Sequence, residues 1–281
     1  MSTSESKVIF SNFNTSVLFD NDLVIADAFS MTENHNILES ACGYGGTIQG
    51  ANIGVASPNM LGFGDVTATL SYNPTITQLS KLSTWIKDRN SSRVVACENS
   101  EQSQLAYGEC YFSSIALSAA ENALVNCDVD MWMYKNALTS GSIGGVVNKF
   151  SRYPSLIDTA VIPYWATKIV GFPLEVVNWN VDINQNLTKK FYCEGLTDTT
   201  SPLPKDVFVG PLNIDLSITA VIPNTVYQMS DLTGDLNLEI MLSGITFLSI
   251  ASVKIVTASP DLTDKGGRFI TLAYRVFKLN V

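Results

Sequence analysis

Val66-Thr-Ala-Thr-Leu-Ser-Tyr72 and Leu212-Asn-Ile-Asp-Leu-Ser-Ile218 are two stretches of this 281-residue sequence in which apolar and polar residues alternate. Each stretch closely follows a glycine, Gly64 in the first case and Gly210 in the second. Matched positions are separated by a constant step of 146 residues. Alternation with a period of two is typical of a β-strand that buries one face. The match therefore predicts that the same strand occurs twice.

Two further matches occur in the same order along the chain. Phe29–Ile37 resembles Trp179–Leu187 at a step of 150, which agrees with 146 if the following loop is four residues longer in the first half. Val125–Met131 resembles Ile270–Val276 at a step of 145. Three ordered matches, with length changes confined to loops, predict an internal duplication.

The predicted elements between these matches are almost all strands, because Val, Ile, Thr, Phe and Tyr dominate them. One helix is predicted over Thr75–Arg89, where Leu79, Leu82 and Ile86 fall on one helical face. A shorter and weaker helix is predicted over Asn224–Leu232.

The predicted fold class is mainly β, with two tandem β-barrel or sandwich domains. Each has about six strands and at most one helix. The predicted domains are 8–135 and 159–281, and 136–158 is the predicted connection.

Composition limits the possible functions. Hydrophobic residues make up 46% of the chain and charged residues 15%, so the chain can bury a large core and is not disordered. The small charged fraction suits a protein that covers its surface with copies of itself. The net charge is −9 and the densest basic pair is Lys189-Lys190, which disfavours a direct grip on nucleic acid.

No catalytic or cofactor motif is recognised. His35 is the only histidine and lies on an alternating strand, where a solvent-facing position is the simpler interpretation. Gly43–Gly46 and Gly62–Gly64 do not match a phosphate-binding loop and are interpreted as turns. We expect no enzyme activity and no cofactor.

Asp128 and Asp130 share one strand face and could in principle bind Ca²⁺ or Mg²⁺. Such a site needs oxygens from elsewhere, and the matching positions in the second half are Ala273 and Arg275. We therefore expect no metal site.

Five cysteines form no C-x-x-C pair, and they are interpreted as small buried side chains in a reducing compartment. The first residues contain no signal-peptide core, and no apolar run is long enough to span a membrane. We expect no membrane partner.

The order of elements resembles that of the tail tube proteins of long-tailed bacteriophages, and of the inner-tube and baseplate-hub modules of contractile injection systems. Two polar-alternating strands (29–37 and 179–187), the glycine-led strands, the helix and the closing strands carry the resemblance. It implies a virion protein, assembled in the host cytoplasm, whose rings stack into a tail tube around a β-barrel lumen. A two-copy chain then implies a pseudo-sixfold ring of three chains, which contacts other tail proteins and through which DNA passes unbound during ejection.

Other functions stay open at this point. The chain could be a tail-tip, hub, neck or capsid-surface adaptor protein, a ligand-binding or carbohydrate-binding β-sandwich, or an enzyme. The segments Lys135–Asp158 and Ala41–Gly64 are candidate contacts within or between rings.

The polar faces of the matched strands are the candidate lumen lining, and the alternative is that they form the exterior. Val66, Leu70, Ile214 and Leu216 are poor candidates, because their apolar side chains would meet water. The predicted lumen-facing residues are Ser30, Thr32, Asn34, Thr67, Thr69, Ser71, Asn180, Asp182, Asn184, Asn213, Asp215 and Ser217.

Overall fold

Strands dominate the computed structural model, which confirms the predicted mainly-β class. The structure describes residues 4–9, 15–20, 22–24, 26–35, 37–38, 60–61, 65–99, 104–140, 161–190, 206–222, 232, 236–261 and 268–280. The strands of the first half are β1 (Ser4–Ile9), β2 (Thr15–Phe19), β3 (Asp22–Val24), β4 (Ala26–His35), β5 (Ile37–Leu38), β6 (Met60–Leu61), β7 (Asp65–Tyr72), β8 (Arg93–Asn99), β9 (Gln104–Ala120) and β10 (Asn126–Ser140). Those of the second half are β11 (Thr167–Val170), β12 (Val176–Lys190), β13 (Asp206–Val221), β14 (Leu236–Leu242), β15 (Ile245–Asp261) and β16 (Phe269–Leu279).

One sheet of 14 strands runs through both halves and curls into a half-barrel. Its order is β1-β4-β7-β10-β9-β12-β13-β16-β15-β14-β11, with β8 paired to β9, β2 to β8 and β3 to β2. All of these pairs are antiparallel, and β5 and β6 form a separate two-stranded sheet.

The two halves of the chain arrange their strands in the same order. The first half contains β4-β7-β10-β9-β8-β2 and the second contains β12-β13-β16-β15-β14-β11. Tyr72 lies opposite Cys127, and Ile218 lies opposite Leu272, so the steps of 146 and 145 relate equivalent pairs. The domain boundaries at 135 and 159 stay predictions, because the sheet continues from one half into the other.

The predicted step of 150 for the upstream match is wrong by two residues. Phe29 lies opposite Leu70, whereas Val181 lies opposite Leu216, the counterpart of Leu70. The structural step is therefore 152. A slip of two residues keeps every side chain on its own face, which is why the alternation alone did not reveal it.

The halves meet where β9 pairs with β12, a contact that we call the internal joint. Ser114–Ala120 of β9 pairs with Asn178–Asn184 of β12, whereas the other half of β9 pairs with β8. Where β9 leaves β12, the buried Gln185 amide donates a hydrogen bond to the Phe112 carbonyl oxygen at 3.3 Å. The side chain thus supplies a partner to a backbone group at the fork.

The predicted helix is confirmed as α1, Ile76–Lys87. Thr75 is its N-cap: its hydroxyl accepts from the Gln78 N–H at 3.3 Å, and the Gln78 side chain accepts from the Thr75 N–H at 2.9 Å. The buried face contains Leu79, Leu82, Trp85 and Ile86. This apolar stripe holds the helix against the sheet.

Helix α1 contacts both halves. Lys81 binds the Asp20 carbonyl oxygen at 2.9 Å in the first half. Toward the second half, Ser83 donates to the Phe247 carbonyl oxygen at 3.0 Å, and Arg89, which follows the end of the helix, donates to the Gly210 carbonyl oxygen at 2.9 Å. One contiguous core cluster includes residues from each half.

Several predicted segments differ from the structure or lie outside it. Strand β10 continues to Ser140, five residues into the predicted connection, because β9 gives Asn136–Ser140 a backbone partner. Residues 141–158, residues 41–59 and most of Asn224–Leu232 lie outside the described residues. No helix in the described part of the chain is long and apolar enough to cross a membrane.

Candidate functional site: a polar face on the central sheet

Alternate residues of the central strands point to opposite sides of the sheet, and one side is consistently polar. On β7, Val66, Ala68 and Leu70 are buried, whereas Thr67 and Thr69 are exposed. The same alternation holds on the neighbouring strands, so the apolar side faces the core and the other side faces solvent. We call this solvent side the polar face.

The polar face is continuous across the internal joint, because strand pairing aligns its residues in rows. One row contains Ser30, Thr69, Asp130, Ser114, Asn184 and Asn213. The next contains Ala28, Ser71, Asp128, Ala116, Asp182, Asp215, Arg275 and Lys254. A third contains Asn126, Ser118, Asn180, Ser217, Ala273 and Thr257.

The predicted lumen residues are brought together on this face. Those on β4 and β7 meet directly: the Ser30 and Thr69 hydroxyls form a hydrogen bond of 2.6 Å, and Thr32 lies opposite Thr67. Those on β12 and β13 lie opposite one another in the same way. Asn34 lies opposite Asp65 on β7, and its side chain lies outside the described residues.

The sequence analysis did not assign residues of the two central strands, β9 and β10, to the polar face. Asp128, Asp130 and Asn126 on β10 and Ser114 and Ser118 on β9 belong to it, as do Thr219, Thr271 and Arg275. Alternation on β10 could have found the first three. Strand β9 gave a weak signal, because small residues such as Ala116 and Ala119 occur on both of its faces.

Two carboxylates of the face lie directly opposite each other, Asp182 on β12 and Asp215 on β13. Like charges at such positions are unfavourable unless other groups compensate them. Arg275 binds Asp215 with two hydrogen bonds, of 2.9 and 3.3 Å, and Asn180 donates to Asp182 at 2.7 Å. The hydrogen bonds and charge of Asp215 raise the pKa of Arg275.

The other two carboxylates also have neutral donors. Asn126 donates to Asp128 at 2.9 Å, and Ser114 donates to Asp130 at 2.7 Å. The described residues contain no group of three His, Cys, Asp or Glu side chains that could hold a metal ion. The residues of the second half that correspond to Asp128 and Asp130 are Ala273 and Arg275, as the strand register shows.

The three rows therefore have an acidic balance. They contain four aspartates and two basic residues, Arg275 and Lys254. An acidic surface of this kind repels phosphate groups, because binding them requires an excess of Lys and Arg. Chemically, the face can present water and hydrogen-bonding groups without holding a polyanion.

The described thiols are buried rather than reactive. Cys110 and Cys127 are both inaccessible to solvent and form no disulfide, and burial raises the pKa of each thiol well above its ordinary value. A nucleophilic cysteine needs the opposite, an accessible thiol with a lowered pKa. His35 is on β4 as predicted, and its side chain lies outside the described residues.

Comparisons with known proteins do not identify a family for this chain. No protein-family model matches the chain, and no curated protein matches it. One solved structure with a weak likeness is the SPP1 Dit (gp 19.1) protein, described as a paradigm of the hub adsorption apparatus in phages that infect Gram-positive bacteria. The superposition has a TM-score of 0.26 at 10% identity and covers 93% of this chain and 98% of that chain. A likeness of this strength does not establish a shared function.

Proposed function

We propose that this chain is a structural virion protein of a bacteriophage tail that assembles into stacked rings around a channel for DNA. The observation that carries the proposal is the polar face, which is continuous across two halves with the same strand order. The two halves have the same strand order and pair edge to edge within the chain. Further copies of the chain can extend this surface by pairing in the same way.

The number of strands in the polar face is compatible with a ring of three chains. Each half contributes four strands to the face: β4, β7, β10 and β9 in the first, and β12, β13, β16 and β15 in the second. Three chains then supply about 24 strands, which at about 4.8 Å spacing close a barrel roughly 37 Å across the backbone. Such a barrel is wide enough for duplex DNA.

The charge balance supports the assignment of the polar face to the channel. A lumen that passes DNA must hydrate it without binding it, and the acidic excess of the face avoids phosphate contacts. Under this proposal the chain is not an enzyme, and its partners are copies of itself and other tail proteins.

Negative-stain electron microscopy and native mass measurement of the purified protein test the proposal. Rings of three chains with a central channel, stacked into tubes, are the expected result. Rings that never stack would favour a tail-tip or hub role over the tube. A monodisperse monomer at all concentrations would rule out self-assembly.

A further inference from the structure

The outer edge of β15 has no strand partner in the described part of the chain over Lys254–Asp261. Strand β14 pairs with β15 only as far as Val253, and β16 lies on the other side. Unpaired N–H and C=O groups on such an edge are a template for another strand.

The internal joint shows which strand fits this edge. Ala116 lies opposite Asp128, and Thr257 lies opposite Ala273, the counterpart of Asp128, so Thr257 is the counterpart of Ala116. In the internal joint, the edge that contains Ala116 pairs with β12. The β15 edge is therefore the second-half version of an edge that pairs with the first strand of a repeat.

The first strand of the other repeat is β4, and the pairing of β12 gives its register. Ala116 lies opposite Asp182 in the internal joint. Ser30 is the counterpart of Asp182, because Ser30 lies opposite Thr69 and Asp182 lies opposite Asp215. If the β15 edge of one chain pairs with β4 of a second chain in the register of the internal joint, Thr257 lies opposite Ser30.

In this register, the core-facing side of β15 continues the core-facing side of β4, and the solvent-facing sides also match. Val256 is the extra residue of a β-bulge, because Ile255 and Thr257 pair with the consecutive residues Tyr274 and Ala273 of β16. With this bulge retained, the register places Ile255, which packs against the core, opposite the buried Met31. It also places the exposed Lys254 opposite Thr32 on the polar face. A register shifted by one residue would reverse both sides, so agreement is not automatic.

Two features limit the length of this pairing between chains. Pro260 has no N–H to donate, so the pairing ends before it. Strand β1 already pairs with Ser30–His35 of β4 and overlaps the joint at Ser30–Thr32. Strand β1 must therefore withdraw from these three residues when a second copy binds.

We propose that Lys254–Ser259 of β15 pairs antiparallel with Ala28–Thr32 of β4 in a second copy of this chain, in the register of the internal joint. The inference rests on the proposed function, because it supplies the contact that repeats around the ring. The polar face then continues from one chain to the next as it does from one half to the other.

Disulfide cross-linking between separately purified variants tests this pairing. Directly opposite residues on antiparallel strands are about 4.5–5.5 Å apart at Cβ, within disulfide reach. Ser30→Cys chains mixed with Thr257→Cys chains and oxidised are expected to form a heterodimer. The unsubstituted protein gives the background from natural cysteines. Removing residues 1–9 from the Ser30→Cys chain is expected to speed the reaction.

Two controls define the register. Ala116→Cys combined with Asp182→Cys in one chain should form the equivalent disulfide inside the chain, without a change in oligomeric state. Thr67→Cys mixed with Thr257→Cys should not cross-link, because Thr67 lies one strand further from the edge. Rings or tubes without the Ser30–Thr257 cross-link would overturn the inference and leave the proposed function standing. A strict monomer would overturn both.

Discussion

Gly171 and Gly244 both adopt positive φ, +85° and +82°, but their surroundings differ. A Cβ on Gly171 would lie 2.1 Å from the Asn237 carbonyl oxygen, whereas a Cβ on Gly244 would have no neighbour within 4 Å. Gly244→Ala should therefore cost about 1–2 kcal/mol of unfolding free energy from backbone strain alone. Gly171→Ala should cost a further 1–3 kcal/mol or so, because backbone must move.

Urea unfolding of the two variants measures the difference directly, and Gly244→Ala serves as the matched control. Equal losses for the two substitutions would show that β14 does not approach β11 as closely as the structure indicates.

The buried thiols predict a loss of stability in alkali. Burial raises the pKa of Cys110 and Cys127 above the ordinary 9.0, so the folded protein keeps protons that the unfolded chain releases. The free energy of unfolding should therefore fall as the pH rises above 9, by at most about 1.4 kcal/mol per pH unit for each thiol.

Urea unfolding between pH 7 and pH 10.5 or so tests this dependence. The double variant Cys110→Ala, Cys127→Ala should be less stable at pH 7 but lose less stability above pH 9. Parallel curves for the two proteins would contradict the assignment, since Tyr72 and Tyr274, with raised pKa values, would then account for the whole decline.

Helix α1 is an element whose ends can be tested separately from its core. Thr75 caps its first turn, and Thr75→Ala removes the hydroxyl that accepts from Gln78. We expect a loss of about 1 kcal/mol in the free energy of unfolding, measured by urea titration. The exposed Thr77→Ala, two residues later, should change it by less than about 0.5 kcal/mol. If both substitutions have the same small effect, the cap contributes nothing.

At the level of elements, the sequence predicted the mainly-β class and the equivalent strands of the two halves. Alternation located the strands β4, β7, β10, β12, β13 and β16, and apolar spacing located helix α1, because each signal lies within a few consecutive residues. The match between Tyr72 and Ile218 identified equivalent strands.

Non-local features could not be predicted in this way. Nothing near Ser114 indicates that β9 divides its pairing between β8 and β12, since those partners lie far away in the sequence. The sequence likewise indicates that Gln185 is an ordinary polar residue of a strand, although its side chain is buried against the Phe112 carbonyl group. The sequence therefore predicted the outer strands of the polar face and did not assign its central strands, β9 and β10, to it.

At the scale of the whole molecule, the polar face can be tested by reversing its charge. Asp128→Lys combined with Asp182→Lys adds two cations in one row. Assembled particles should then retain nucleic acid that resists nuclease and is released by salt, because each cation recruits a phosphate and displaces counterions. Ultraviolet absorbance and nuclease digestion measure both properties.

Glu121→Lys combined with Glu175→Lys is the matched control. It changes the net charge equally, at exposed residues in the turns that follow β9 and precede β12. If nucleic acid on the first variant is digested as readily as on the control, the polar face is the exterior of the particle.

The internal joint also has a consequence for synthesis on the ribosome. The Ser114–Ala120 edge is made about 60 residues before its partner, Asn178–Asn184. At 5–20 residues per second, it waits roughly 3–12 s for that partner to emerge. During this interval a nascent chain on the same messenger offers the same strand. Correct pairing therefore depends on the chain's own β12 arriving before that of its neighbour, so translation speed between the two segments becomes part of the folding pathway.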